Sequence, residues 1–224
     1  VSECTRCSYD EHLASFGMDQ GVDFVPINDI AALEDAFAAA REHEVFYRAM
    51  FVEPVMGEGI SGLAIQPEYY DACRELCSSH DTLLVVDSIQ AALRATGCLS
   101  VVDYPGFEHS RPPDMETYSK ALNAGQYPLS VVAMLQGAAE TYVTGVYGNT
   151  MTTNPKALAV GCAVLESIDD ELRENIRQRG SELLEKFRDL SREVPGAIAS
   201  VEGTGLLVCA ELNPERYRVS GAGG

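Results

Sequence analysis

The sequence predicts an α/β fold: a mixed, mostly parallel sheet flanked by helices, followed by the start of a small α+β C-terminal domain. Three observations carry this. Strand-like and helix-like segments alternate through most of the chain. Thr82-Leu83-Leu84-Val85-Val86-Asp87 is a short apolar run closed by an acid, as expected of a parallel strand covered on both faces. After Asn154 the pattern changes to two helices and then a strand.

Asn28 or Asp29 can cap a helix in which Ile30, Leu33, Phe37 and Ala40 recur at helical spacing. The run Val45–Val52 is rich in β-branched and aromatic residues and reads as a strand. Glu53-Pro54 ends it, and a turn through Gly57, Gly59 and Gly62 follows. Pro67 stands at the start of a second helix whose apolar face uses Tyr70, Cys73, Leu76 and Cys77. After the Thr82–Asp87 strand, Pro105-Gly106 and Pro112-Pro113 mark residues 103–113 as a loop. Leu129–Met134 reads as a further strand. Asn154-Pro155 opens a helix through Leu158, Cys162, Leu165 and Ile168, and a longer one runs from about Asp169 to Glu193. Pro195-Gly196 breaks it before a late strand over Gly205–Leu212. The expected division is 1–168 for part of a large domain and 169–224 for a connecting helix and the start of a small one.

The net charge is −18, from 34 acidic against 16 basic residues. Such a field repels phosphate backbones and anionic lipid, which argues against nucleic-acid and membrane-surface partners. No apolar run approaches the length of a membrane span. Seven cysteines, an odd number scattered through apolar segments, suit a reducing compartment, the cytoplasm or an organelle matrix. The chain opens on Val1 and carries no visible targeting segment, as expected of a sequence cut at its N-terminus. Cys4-x-x-Cys7 has no second metal-binding pair and the four histidines lack ligand spacing, so no metal is expected.

In open α/β sheets, ligands sit beyond the carboxyl ends of the strands. Glu53 and Glu58 follow one strand, Asp87 and Gln90 the next, and Lys120 stands further on. Any one of these alone could be a cap or a solvated loop residue. Gly57-x-Gly59-x-x-Gly62 matches the dinucleotide fingerprint formally, but Glu58 would repel a pyrophosphate and Pro67 delays the helix that should receive it.

The order of these groups is what discriminates. Glu53-Pro54-Val55-Met56-Gly57-Glu58-Gly59 resembles the EPV-x-GEG turn of class III aminotransferases of the ornithine and acetylornithine type. Leu84–Gln90 resembles their LLIFDEVQ, Thr96-Gly97 their RTG, and Pro113-Asp114 with Ser119-Lys120-Ala121-Leu122 their PDI and KAL. Tyr127-Pro128-Leu129 matches YPLG, and Tyr147–Pro155 resembles HGSTFGGNP. The resemblance runs through residues 22–212 in family order.

It implies fold type I, with residues 1–168 in the large cofactor domain, and pyridoxal 5'-phosphate as cofactor. Lys120 would be the Schiff-base lysine and proton shuttle, because an amine must condense with the cofactor aldehyde. Asp87 would pair with the pyridine nitrogen, keeping it protonated so that the ring draws electrons. Gln90 would donate to the ring's 3-oxygen, and Thr150 would hold the phosphate, reaching into the partner's site of a homodimer. Glu58 and Glu53 match the acidic turn on the substrate side. The implied reaction moves an amino group, a terminal ω-amine among the candidates, from an amine or amino acid to a 2-oxo acid.

Some positions depart from the pattern. Ser88 stands where the family has the Glu of DEVQ, Arg94 is displaced by one position, and Thr152-Thr153 replace Gly-Gly. The upstream phosphate-binding turn and the C-terminal arginine are expected outside residues 1–224. An aminomutase-type reaction on the same fold and a catalytically inactive homologue or fragment are the alternatives.

Overall fold

The structure is a computed structural model and describes residues 21–144, 150 and 152–216. Helix α1 spans Ile30–Glu42, and Asp29 caps it by accepting from Ala32 N at 2.9 Å. Asn28 has a different task. Its side chain donates to Ala64 O and accepts from Gln66 N, tying the start of α1 to the segment that leads into the second helix. Strand β1 (Ala49–Val52) is shorter than the sequence suggests, since Val45 and Phe46 are exposed and precede it. Helix α2 (Pro67–Ser79) begins on its proline and buries Tyr70, Cys73 and Cys77.

Strand β2 (Leu83–Asp87) pairs in parallel with β1 on one side and with β3 (Met115–Tyr118) on the other. Strand β4 (Val131–Met134) closes the order β1-β2-β3-β4 and runs antiparallel to β3. Strand β2 is therefore central, which explains its apolar run: Leu84, Val85 and Val86 are all buried. One core unites α1, α2, β1 and β2 through Leu33, Phe37, Val52, Tyr70, Cys73, Leu84 and Val86. Sequence periodicity does not mark β3, because a carboxylate, Glu116, occupies one of its two inward positions beside Tyr118.

A short helix α3 (Gln136–Ala139) follows β4. Helix α4 (Pro155–Glu166) is capped by Asn154, which accepts from Lys156 N and Ala157 N. Helix α5 (Asp170–Glu193) is capped by Asp169 and packs on the hairpin of β5 (Ile198–Thr204) and β6 (Leu207–Leu212). The hairpin is a second, two-stranded sheet.

Its turn meets the loops behind β1 and β2. Leu206 N donates to Arg94 O and the Thr204 hydroxyl to Gly62 O, both at 2.8 Å. Gly205 lies at this crossing with φ +57°, between Gly180 of α5 and the chain at Ala95. A Cβ on Gly205 would stand 1.5 Å from Ala95 O, so no side chain fits. From α5, Arg173 and Arg177 donate to the carbonyls of Gly97 and Thr96.

Candidate active site

The candidate residues gather at the carboxyl ends of three adjacent strands. Asp87 ends β2, Glu53 follows β1, and Lys120 comes two residues after β3. Register fixes the relation between the last two strands. Asp87 pairs with Thr117, three residues ahead of Lys120, so parallel pairing delivers Asp87 and Lys120 to the same sheet edge.

Asp87 is half-buried. Its Oδ1 accepts from Ile89 N at 3.0 Å and from the Thr117 hydroxyl at 3.3 Å. These bonds orient the carboxylate through Oδ1, and among the described residues no donor reaches Oδ2, so the group keeps acceptor capacity toward a ligand. Lys120 is exposed and opens a short 3₁₀ turn over Lys120–Asn123. Its φ of +34° is a conformation that a residue with a Cβ adopts at a cost, and such strain is characteristic of functional positions. The Ser119 hydroxyl donates to Leu129 O at 2.6 Å, anchoring the strand-to-turn junction that presents the lysine.

Gln90 lies in the turn after β2 and crosses to the Gly57 turn, where a Cβ on Gly57 would stand 2.4 Å from its Nε2. The two loops therefore touch through an amide against a bare backbone. Glu53 closes the Gly57 turn from inside: its Oε2 accepts from Gly57 N at 2.7 Å. Burial raises the Glu53 pKa, the Gly57 N–H pulls it back, and the neighbouring Asp87 carboxylate pushes it up again. Glu58, by contrast, is exposed at the turn's surface. Thr150 is exposed in the segment ahead of α4, apart from the strand-end cluster in sequence and in element. Cys4 and Cys7 lie outside the described residues.

A family profile described as Aminotransferase class-III matches residues 17–220. The chain belongs to the class III aminotransferase family. An ornithine aminotransferase of Bordetella pertussis is 35% identical over 197 residues, covering 87% of this chain and 44% of that protein. An acetylornithine aminotransferase of Synechocystis is 34% identical with the same coverage. Among solved structures, the ornithine aminotransferase of Toxoplasma gondii superposes with a TM-score of 0.72 at 32% identity, over 87% of this chain and 44% of that one. An (S)-enantioselective omega-transaminase from Thermomicrobium roseum gives 0.68 at 25% identity, over 82% and 40%. The chain thus spans about half the length of the curated relatives it matches.

For a class III aminotransferase the strand-end groups suit pyridoxal phosphate by their chemistry. A half-buried carboxylate, an exposed amine and an amide are the partners that a pyridinium, an aldehyde and a phenolate-like oxygen call for. No helix of the described residues is long and apolar enough to cross a membrane.

The residues that sequence reading overlooked are those behind the cluster. Arg74 of α2 and Asp114 form a mostly buried pair at 2.8 Å, and the same Asp114 oxygen accepts from Leu84 N at 2.7 Å. This pins α2 to the starts of β2 and β3. Glu116, 4% exposed, accepts from the Ser88 and Ser100 hydroxyls. Because periodicity does not mark residues 115–118 as a strand, nothing local in the sequence signals the burial of Glu116.

Proposed function

We propose that the full-length protein is a pyridoxal-phosphate-dependent aminotransferase. It moves an amino group from an amino acid or amine to a 2-oxo acid, with terminal ω-amines as the first donors to test. The observation that carries this is the delivery of Asp87 and Lys120 to one sheet edge by the β2–β3 register. The names of the relatives, ornithine and acetylornithine aminotransferases and an omega-transaminase, support the donor class.

In this reading the bound cofactor supplies an electron-withdrawing ring that stabilises negative charge at the carbon bearing the amine. Asp87 holds the proton on the ring nitrogen, oriented by Thr117 and Ile89 N. Lys120 would hold the cofactor through Nζ and would move the proton at the substrate carbon. Gln90 donates to the ring's 3-oxygen from its seat against Gly57. By the family resemblance, Thr150 would hold the phosphate in a homodimer with shared sites. Glu58 and Glu53 would stand on the substrate side, Glu58 exposed and Glu53 tied into its own turn. The compartment is cytoplasm or an organelle matrix, in keeping with free thiols at Cys73, Cys77, Cys98, Cys162 and Cys209.

Visible absorbance of the full-length protein with added pyridoxal phosphate tests this reading. The parent should show the band of lysine-bound cofactor, and Lys120→Ala should abolish it. Absence of the band in the parent overturns the cofactor assignment; an unchanged band in the variant overturns Lys120.

A further inference from the structure

Glu116 is a buried carboxylate to which the proposed reaction gives no task. It points into the core from β3, 4% exposed, beneath the segment that follows Asp87. Its Oε1 accepts from the Ser88 hydroxyl at 2.5 Å and from Val101 N at 3.1 Å, and its Oε2 accepts from the Ser100 hydroxyl at 2.6 Å. Two hydroxyls and a backbone N–H thus converge on one side chain, the pattern of a carboxylate stabilised by donors.

The placement of those donors is informative. Ser88 directly follows Asp87 and is itself fully buried; Ser100 and Val101 stand at the far end of the same segment. Gln90 lies between them. One side chain of β3 therefore fastens both ends of the 88–101 segment, and the backbone bond from Ser88 N to Thr117 O at 3.0 Å adds a second tie at the near end. The charge of Glu116 is also felt by the hydroxyls of Tyr70, Tyr104 and Tyr118. Each is pushed above its ordinary range by burial first and by Glu116 second.

Ser88 is also a departure from the motif that the chain otherwise resembles, which has Glu at that place. Here the carboxylate reaches this loop from the neighbouring strand, and Ser88 has become its donor.

We infer that Glu116 is a positioning residue that holds Asp87 and Gln90 in place by pinning both ends of the 88–101 segment to β3. The inference rests on the reading of Asp87 and Gln90 as cofactor contacts. Removing the acceptor leaves two hydroxyls and an N–H in the core without it, so the segment should loosen as a unit.

The test uses the full-length protein with Glu116→Val, Glu116→Gln and, as a milder change, Ser100→Ala. Amide hydrogen exchange is measured without cofactor, and the dissociation constant of pyridoxal phosphate is measured by absorbance. In Glu116→Val, amides of residues 89–100 should exchange faster relative to α1 and β1, and the dissociation constant should rise by about tenfold. Glu116→Gln keeps an acceptor for Val101 N–H and should stay within about threefold of the parent. If Glu116→Val does not fold, Ser100→Ala should show the same local change in weaker form. Unchanged exchange over 89–100, or looser exchange with unaltered cofactor affinity, overturns the inference. A parent that binds no cofactor while exchange still responds overturns the proposed function instead, and with it the positioning role.

Discussion

Gln90 Nε2 would lie 2.4 Å from a Cβ placed on Gly57, so the two loops behind β1 and β2 meet where one of them has no side chain. Gly57 is not among the residues with positive φ, and the three atoms nearest such a Cβ all belong to the Gln90 side chain. Gly57→Ala should therefore cost less than about 1 kcal/mol, because only the end of a flexible side chain has to move. Cofactor affinity should fall by roughly fivefold as Gln90 loses its hydrogen-bonding position. Melting and absorbance titration of the same variant separate the two effects; a large stability loss with normal affinity would contradict this account.

Glu53 sets a pH dependence. Burial chiefly raises its pKa above the ordinary carboxylate value, with Asp87 adding to the effect. Below the ordinary value both folded and unfolded chains hold the proton, and there is no penalty. As pH rises through the ordinary and then the raised value, the folded chain must bury a charge that the unfolded chain leaves in water, so stability declines. Glu53→Gln keeps an acceptor for Gly57 N–H without that charge. It should melt higher than the parent at neutral pH, with the gain vanishing as pH falls into the ordinary carboxylate range. A gain that persists or grows in acid would refute the assignment.

The pair of Arg74 and Asp114 should be far more important to stability than the exposed pair of Arg111 and Glu75. Asp114→Ala strands a mostly buried guanidinium and removes the acceptor of Leu84 N. Chemical denaturation should show a loss of about 3–5 kcal/mol. Glu75→Ala should change stability by less than about 1 kcal/mol.

Gly205→Ala offers the opposite case to Gly57. The new methyl would meet the Ala95 carbonyl, part of the backbone, at a residue that also has positive φ. Neither neighbour is a flexible side chain, so the hairpin turn must withdraw from the 94–97 segment. The expected loss is about 3 kcal/mol or more, read by denaturation.

Cys73 and Cys77 should resist alkylation in the native protein. Burial pushes both thiols up to about 12, so little thiolate is present near neutrality. Mass spectrometry after treatment at pH 8 should find them unlabelled until denaturant is added; prompt labelling of either would show that α2 opens.

Much of this protein is legible residue by residue. The helix starts at Asn154-Pro155 and near Asp169, the proline at the head of α2 and the buried run of β2 all follow from local chemistry and stand where the sequence expects them. Of the two candidate caps Asn28 and Asp29, the structure uses Asp29. The order of Glu53, Asp87, Gln90 and Lys120 along the chain pointed to a site at strand ends: Glu53 follows one apolar segment, Asp87 and Gln90 follow another, and Lys120 is marked by its place behind them. Other features had no local signature. Strand β3 was hidden by Glu116, whose burial is tolerated only because Ser88, Ser100 and Val101 N arrive from a segment far along the chain. The Arg74–Asp114 clamp and the Gly205 crossing likewise join residues distant in sequence. Such contacts are decided when strands take their register and loops close over them, since a hydrogen bond or a steric limit exists only once both partners are in place. The sequence by itself determined which chemical groups stand behind the strands, Lys120 among them; the tertiary structure alone decided that Asp87 and Lys120 share one edge and that Glu116 lies beneath it.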